Sequence, residues 1–282
     1  MKSSLRDLVG AYATEQLTVL VDAPTRILAG EDVTHPTRVA VRRLRSTVRV
    51  LPELFEVPKA ARLDEELRWW AGLLGGVRDL DVQSVRLSAA LDAVPDDLVM
   101  GPVRAQLAEL VAHRHGAAAA TVKEELGGAR YRALDALLHA WRADPPFTAA
   151  ADVSAKKIAG YVDRADRKTH RRLEQASKAY RRGDPDADVL LHRARKAGKR
   201  HRYAVELAAP VLGKRADAIV KQRKEFQELL GEHQDSVVAT GLLRELGVLA
   251  GTEGENGFTW GLLHAREQET AARIVRELRR FL

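Results

Sequence analysis

Apolar residues recur at i, i+3, i+4 and i+7 along most of the chain. That spacing gathers them on one face of a helix of 3.6 residues per turn, and no stretch shows the period of two that a half-buried strand requires. The pattern predicts an all-α protein with helices near 4–22, 34–55, 59–92, 100–126, 130–142, 153–182, 187–209, 214–246 and 257–281. Breakers separate them: Pro24 and Gly30, Pro52 and Pro58, Pro95 and Gly101-Pro102, Gly127-Gly128, and Gly183-Asp184-Pro185, as residues that lack an amide hydrogen or favour left-handed backbone should. Asp144-Pro145-Pro146, just before Phe147, is the strongest punctuation and predicts a boundary between a first half, 1–143, and a second half, 152–282.

Within the second predicted helix, Val41, Leu44, Val48 and Leu51 form an apolar stripe. A different stripe carries charge. At about 100° per residue, His35, Arg38, Arg42, Arg45 and Arg49 fall inside an arc of about 80°. Residues 34–50 hold five arginines and no acid, although like charges at i,i+4 repel by ~0.2–0.5 kcal/mol per pair.

The two halves repeat one another. "HPTRVAVRRLRSTVRVL" from His35 aligns without gaps on "HRARKAGKRHRYAVELA" from His192, which matches Arg38 with Arg195, Arg42 with Lys199, Arg43 with Arg200 and Arg45 with Arg202. Downstream, "LLGGVRDLDV" from Leu73 aligns on "LLGEHQDSVV" from Leu229, so that Asp79 and Asp235 correspond. Two matches in the same order mark a duplicated helical unit. His192, Arg195, Lys199 and Arg202 thereby repeat the cationic stripe. "KKIAGYVDRADRKTHRRL" adds Lys157, Arg164, Lys168 and Arg171 on one arc of about 60°, with Ile158, Val162, Ala165 and Leu173 as its core face.

Composition narrows what these stripes are for. The formal net charge is +7 and the isoelectric point is near 9.7, which points to an acidic partner. Cysteine is absent, which excludes disulfides, thiolate zinc sites and a cysteine nucleophile. Arg6, Asp7 and Glu15 interrupt the first segment where a secretory signal needs an apolar core, and no window is long and apolar enough to span a membrane; a cytoplasmic protein is the expectation. Arginine's planar fork takes phosphate oxygens two at a time. The arginine excess on the first stripe therefore suggests phosphate groups.

Other chemistry finds less support. His113 and His115 are two apart and point about 160° from each other on a helix, and the neighbours of His35 and His192 are cations that repel a divalent metal. No metal or other cofactor is expected. Asp79 and Asp81 in "RDLDV" read as partners of Arg78 that orient packed helices, with metal-dependent phosphohydrolysis through Asp79 or Asp235 as the enzymatic alternative. Trp69 and Trp70 read as one core residue and one at its edge. Gly75-Gly76 reads as a site of close packing or a kink. No Walker loop or nucleophile elbow occurs. A nucleic-acid module is the alternative among binding proteins, but Tyr161 and Tyr203 are the only aromatics near the stripes.

The segments "HPTRVAVRRLRS", "LLGGVRDLDV" and "RKAGKRHRYAVEL" resemble the signature segments of CHAD domains, histidine-containing α-helical domains, and the resemblance covers nearly the whole chain. It implies a single domain over 1–282, built as two pseudo-symmetric four-helix bundles with a basic central cleft or channel that binds inorganic polyphosphate, without enzymatic activity. The site would comprise His35, Arg38, Arg42, Arg45, Arg49, Lys157, Arg164, Lys168, Arg171, His192, Arg195, Lys199 and Arg202, with phosphate or sulfate able to stand in for the polymer. "GEHQDSVV" departs from the first copy by placing His233-Gln234 where Val77-Arg78 stands. Some relatives carry a triphosphate-tunnel domain with an alternating Glu-x-Glu-x-Lys strand; Glu253 and Glu255 alternate, but no lysine follows. The implied partners are polyphosphate and the enzymes that metabolise it, and the implied location is the cytoplasm or its polyphosphate granules.

Overall fold

In a computed structural model, residues 3–278 are described, the side chain of Gln222 excepted. Their order is α1 (Leu5–Leu28), α2 (Thr34–Val50), α3 (Val57–Asp92), α4 (Val103–Leu126), α5 (Ala129–Ala143), α6 (Ile158–Arg182), α7 (Ala187–Leu212), α8 (Lys214–Thr252) and α9 (Phe258–Leu278), with short 3-10 turns between some of them. Extended pairing among the described residues is limited to isolated bridges, Ser4 with Ser154 and Phe55 with Phe147. The end of the ninth predicted helix, 279–281, lies outside the described residues.

Local chemistry accounts for most boundaries. Ser4 caps α1: its hydroxyl accepts from the Asp7 amide at 3.1 Å, while the Asp7 carboxylate accepts from the Ser4 amide at 2.9 Å, a reciprocal arrangement that satisfies two otherwise orphaned donors. α2 stops at Val50 because Leu51 precedes Pro52, whose ring disfavours helical backbone at the residue before it. α6 ends on Gly183 with φ of 66°, a left-handed geometry that costs glycine least. Two prolines do not act as the sequence suggests. α1 runs through Pro24 to Leu28, and α7 runs through Pro210 to Leu212. Each lies within the last turn or so, where a missing amide costs one hydrogen bond and little of the helix remains to be kinked.

The described chain packs as two compact units that do not coincide with the halves 1–143 and 152–282. The first takes residues through Gly75 together with Ala120–Glu225; the second takes Gly76–Ala119 and the residues from Phe226 onward. The reason is length. α3 and α8 have 36 and 39 residues, about 54 and 58 Å, so each contributes its start to the first unit and its remainder to the second. The Asp144-Pro145-Pro146 segment is internal to the first unit: the Glu56 amide donates to the Pro146 carbonyl, the Thr148 amide donates to the Leu54 carbonyl, both at 2.9 Å, and Phe147 stacks on Phe55 at 5.0 Å.

In the first unit α1 packs on α2, α5 and α7, while α7 also packs on α2 and α6. The predicted core stripe of α2 is buried, with Val41, Leu44, Val48 and Leu51 all at or below 4% exposure. Ile158, Val162 and Leu173 of α6 are buried too, and Ala165 is half-buried. Trp70 is enclosed and meets the Tyr131 ring at 4.9 Å; Trp69 is half-buried beneath the Arg130 guanidinium.

The second unit has its own core, including Leu87, Leu91, Val103, Leu107, Leu243, Leu246, Trp260 and Leu263. Beside it the Arg86 guanidinium donates to both Glu267 carboxylate oxygens, at 2.9 and 2.7 Å, and to the Ser236 hydroxyl. The Glu267 side chain is only 9% exposed. Removing one member of such a pair strands the other charge, whereas replacing both with apolar groups does not. Arg86→Ala is expected to lower unfolding free energy by about 3–5 kcal/mol, and Arg86→Leu with Glu267→Leu to recover most of it; urea titrations of the three proteins check this.

Candidate anion-binding site

All thirteen cationic residues picked out by the sequence belong to the first unit. They lie on α2, α6 and α7, with Lys157 just before α6. The densest charge is made by three pairs at i,i+4 spacing, one on each of three helices: Arg45 and Arg49 on α2, Lys168 and Arg172 on α6, and Lys196 and Arg200 on α7. Each pair lies on one helix face by its spacing, and α7 packs on both α2 and α6.

Partial burial and then Arg200, Arg172, Arg171 and Arg49 hold the Lys168 ammonium below the ordinary lysine range. Burial and then Arg200, Arg45, Arg49 and Arg195 do the same to Lys196. Arg200, half-buried, is lowered first by burial and next by Arg49, Arg172 and Arg45, with Asp64 opposing. A guanidinium nevertheless stays protonated. Lys168, Lys196 and Arg49 are exposed, so anions in solvent reach the cluster.

One carboxylate is built into it. Asp64, near the start of α3, accepts from Arg45 Nε at 3.1 Å and from Arg49 Nε at 2.7 Å. Burial disfavours its charge, but Arg49 and Arg45 more than compensate and hold it below the usual carboxylate range. Two arginines facing one acid leave excess positive charge, while their guanidiniums are fixed before any ligand arrives.

The remaining predicted residues have other settings. Arg42 is half-buried between α2 and α7, where its Nε donates to the Tyr203 hydroxyl at 3.2 Å. Arg164 lies over the Tyr161 ring and donates to Glu53 at 2.8 Å. Arg202 lies over Tyr203 and is 3.5 Å from Glu206. Lys157 is exposed at the start of α6, His35 is exposed, and His192, Arg38, Arg195 and Lys199 are half-buried. Arg195 and Arg171 remain close enough to depress Lys196 and Lys168 respectively.

The repeat explains this division. In the alignment that matches His35 with His192, Arg43 corresponds to Arg200, Arg45 to Arg202, and Arg49 to Glu206. Arg45 and Arg49 act on Arg200 across α2 and α7; in the corresponding arrangement Arg43 donates to Glu206 at 2.9 Å, and Arg202 approaches the same carboxylate. Glutamate at the position of Arg49 turns one copy into an ion-pair network. In the other copy Arg45 and Arg49 pair with Asp64 of α3 instead.

Sequence reasoning missed Arg172, Lys196 and Arg200, although their i,i+4 spacing matches that of Arg45 and Arg49. It also missed His201, which stands where the first copy has core Leu44 and is itself buried. His201 Nδ1 is 3.6 Å from Asp166, which also meets His170 and receives a hydrogen bond from Arg223 at 2.7 Å. In the second unit Arg78 pairs with Asp81 along α3 at 3.8 Å, and Asp81 also meets His115 of α4. The Arg78–Asp81 contact lies within one helix, and His115 joins Asp81 to α4.

Comparison with known proteins bears on these observations. The CHAD domain family model matches residues 11–244. Two curated relatives from Mycobacterium tuberculosis, uncharacterized protein MT2285 of strain CDC 1551 / Oshkosh and uncharacterized protein Rv2226 of strain ATCC 25618 / H37Rv, are each 34% identical over 253 residues, 88% of this chain and 47% of theirs. The chain thus spans about half the length of the curated relatives it matches. Among solved structures, the CHAD domain from the plant Ricinus communis is similar with a TM-score of 0.71 and 26% identity, over 99% of this chain and 91% of that one. PptA from Streptomyces chartreusis is similar in fold, with a TM-score of 0.77 at 19% identity over 99% of both chains.

His201 gives the site's surroundings a pH dependence. Burial chiefly, then Arg223 and His170, lower its pKa, with Asp166 opposing. The folded protein therefore binds a proton at His201 less readily than the unfolded chain. The stabilisation is present above the unfolded value, about 6.5, and is lost as pH falls toward the lower folded value. The urea midpoint should decline between pH 7.5 and 5, and His201→Gln should flatten that decline.

Proposed function

Because the chain belongs to the CHAD domain family, a family associated with polyphosphate in general, we propose that it binds inorganic polyphosphate through the cationic cluster of α2, α6 and α7. The observation that supports the reading is the packing of α7, which carries Lys196 and Arg200, on α2, which carries Arg45 and Arg49, and on α6, which carries Lys168 and Arg172, with the Asp64 carboxylate orienting Arg45 and Arg49. Successive phosphates of a polymer present non-bridging oxygens at short intervals and without intervening groups. Several fixed guanidiniums engage them together, and each charge-assisted bond contributes about 1.5–3 kcal/mol.

In this reading the protein binds and does not catalyse. It would gather on polyphosphate granules in the cytoplasm or bring a polyphosphate-metabolising enzyme to its substrate. The repeat would supply two pseudo-symmetric bundles, with the cationic cluster lining a basic cleft. His35 and His192 would add hydrogen bonds at its margin, and free phosphate or sulfate would occupy the same positions weakly. No helix among the described residues is long and apolar enough to cross a membrane. The phosphohydrolase alternative rests on Asp79 and Asp235, which do not belong to the unit that carries the cations.

Binding should weaken steeply with salt. If polyphosphate releases counterions as single-stranded nucleic acids do, the slope is about 0.7 per phosphate neutralised. Arg200→Ala should weaken binding and flatten that slope, and Arg49→Glu should cost more than ~1.5–3 kcal/mol because repulsion is added to the lost bond. Arg164→Ala should change little. A salt titration with all four proteins checks the site; a flat slope, or silence of both Arg200→Ala and Arg49→Glu, overturns it.

Polyphosphate should also prevail over nucleic acid. Sequence-tolerant single-strand binding uses repeated aromatic platforms at ~1–3 kcal/mol per base, but Tyr203 is buried against α2 and Tyr161 lies beneath Arg164. Long polyphosphate is expected to outcompete DNA or RNA at equal charge, with affinity rising with chain length. DNA that displaces labelled polyphosphate charge for charge would favour the nucleic-acid reading.

A further inference from the structure

The second unit carries a groove that the cationic residues of the first do not account for. Its volume is about 440 Å³, and it is lined by Leu110 of α4 and by Leu246, Val248 and Leu249 of α8. Leu246 belongs to the core of the unit at 2% exposure, and Leu110 packs against that core. The floor of the groove is therefore the core itself. Its wall meets solvent: Val248 is 63% exposed and Leu249 41%. Single apolar side chains at a surface are ordinary, whereas neighbouring ones around a concavity with few polar groups have the makeup of a small-molecule site, typically ~300–1,000 Å³.

Two arginines line the groove, and their settings differ. Arg114 of α4 donates to Glu245 of α8 at 2.9 Å. Arg244 is exposed and makes no hydrogen bond or ion pair among the described residues. Two guanidiniums and one carboxylate leave the edge of the groove with one uncompensated positive charge. A ligand that matches both features has an apolar body and a single negative head, and a guanidinium takes a carboxylate through two parallel hydrogen bonds.

We propose that this groove binds straight-chain monocarboxylates of medium length, with the alkyl chain along Leu110, Leu246, Val248 and Leu249 and the carboxylate at Arg244. The chain covers apolar surface that water otherwise meets. The carboxylate stays at the solvent edge, where it keeps part of its hydration and avoids the penalty of burying a charge. Glu245 does not oppose it, because Arg114 neutralises that side chain locally. The groove lies wholly within the second unit, and its ligand is independent of polyphosphate binding.

Calorimetric titrations of the protein with hexanoate, octanoate and decanoate, at fixed ionic strength and below the concentrations at which they aggregate, test the assignment. Affinity should rise with chain length by up to roughly fourfold per methylene, the gain when a CH2 is fully removed from water. Octyltrimethylammonium, with the same chain and the opposite charge, should bind more weakly than octanoate. Arg244→Gln should weaken octanoate by roughly two- to fivefold, as for an exposed ion pair, and leave octanol unchanged, whereas Val248→Asp should weaken both. Pyrophosphate, an anion without an apolar part, should not displace octanoate. Affinity that stays constant along the series would overturn the proposal, as would equal binding of octyltrimethylammonium, displacement by pyrophosphate, or silence of both variants. The ligand series and the pyrophosphate competition need no variant and remain decisive if either substitution disturbs folding.

Discussion

Repulsion among like charges is the constraint around which the first unit is organised. Along each helix it is small: three i,i+4 cation pairs cost ~0.2–0.5 kcal/mol apiece, and burial of one leucine, at about 1.5–3 kcal/mol, matches all three. Between helices it is larger, because partial burial of Arg200 and Arg45 reduces the screening by water. α2, α6 and α7 are held together by buried apolar residues, with Val41, Leu44 and Val48 on the first, Ile158, Val162 and Leu173 on the second, and Leu191, Val205 and Leu207 on the third. Asp64 offsets part of the remainder. Apolar packing thus maintains an electrostatic arrangement that would disperse if the helices were free.

Helices and their core faces were legible in the sequence because both follow from a local period. The exceptions are the ends beyond Pro24 and Pro210, where proline reads as a stop but the structure extends by a few residues. The unit borders were not legible. Repeat detection finds equivalent positions along a chain, whereas compactness depends on where helices as long as α3 and α8 make their contacts.

The cationic site was legible in part for the same reason. Arg45, Arg49, Lys168 and Arg171 follow from helix periodicity. On α7 the repeat alignment favoured Lys199 and Arg202, while Lys196 and Arg200 share a face of the same helix by their spacing. One hundred degrees of helix rotation separates adjacent residues, and that rotation is set by packing. The acids that remove Arg164 and Arg202 from the cluster, and the one that anchors Arg45 and Arg49, were also invisible locally. Glu53 lies 111 residues from Arg164, and Asp64 lies on a different helix from the arginines it orients.

Glu206 and Arg49 stand at equivalent positions of the duplicated segment but have opposite charge. A duplicated scaffold inherits two versions of every surface, and either version is free to drift while the other retains its role. Here Glu206, within the repeat, pairs with Arg43 and Arg202, whereas Arg49, with Arg45, pairs with Asp64 outside it. The division of labour turns on the sign of a single side chain. One copy of the duplicated segment carries its own counter-charge, and the other borrows one from α3.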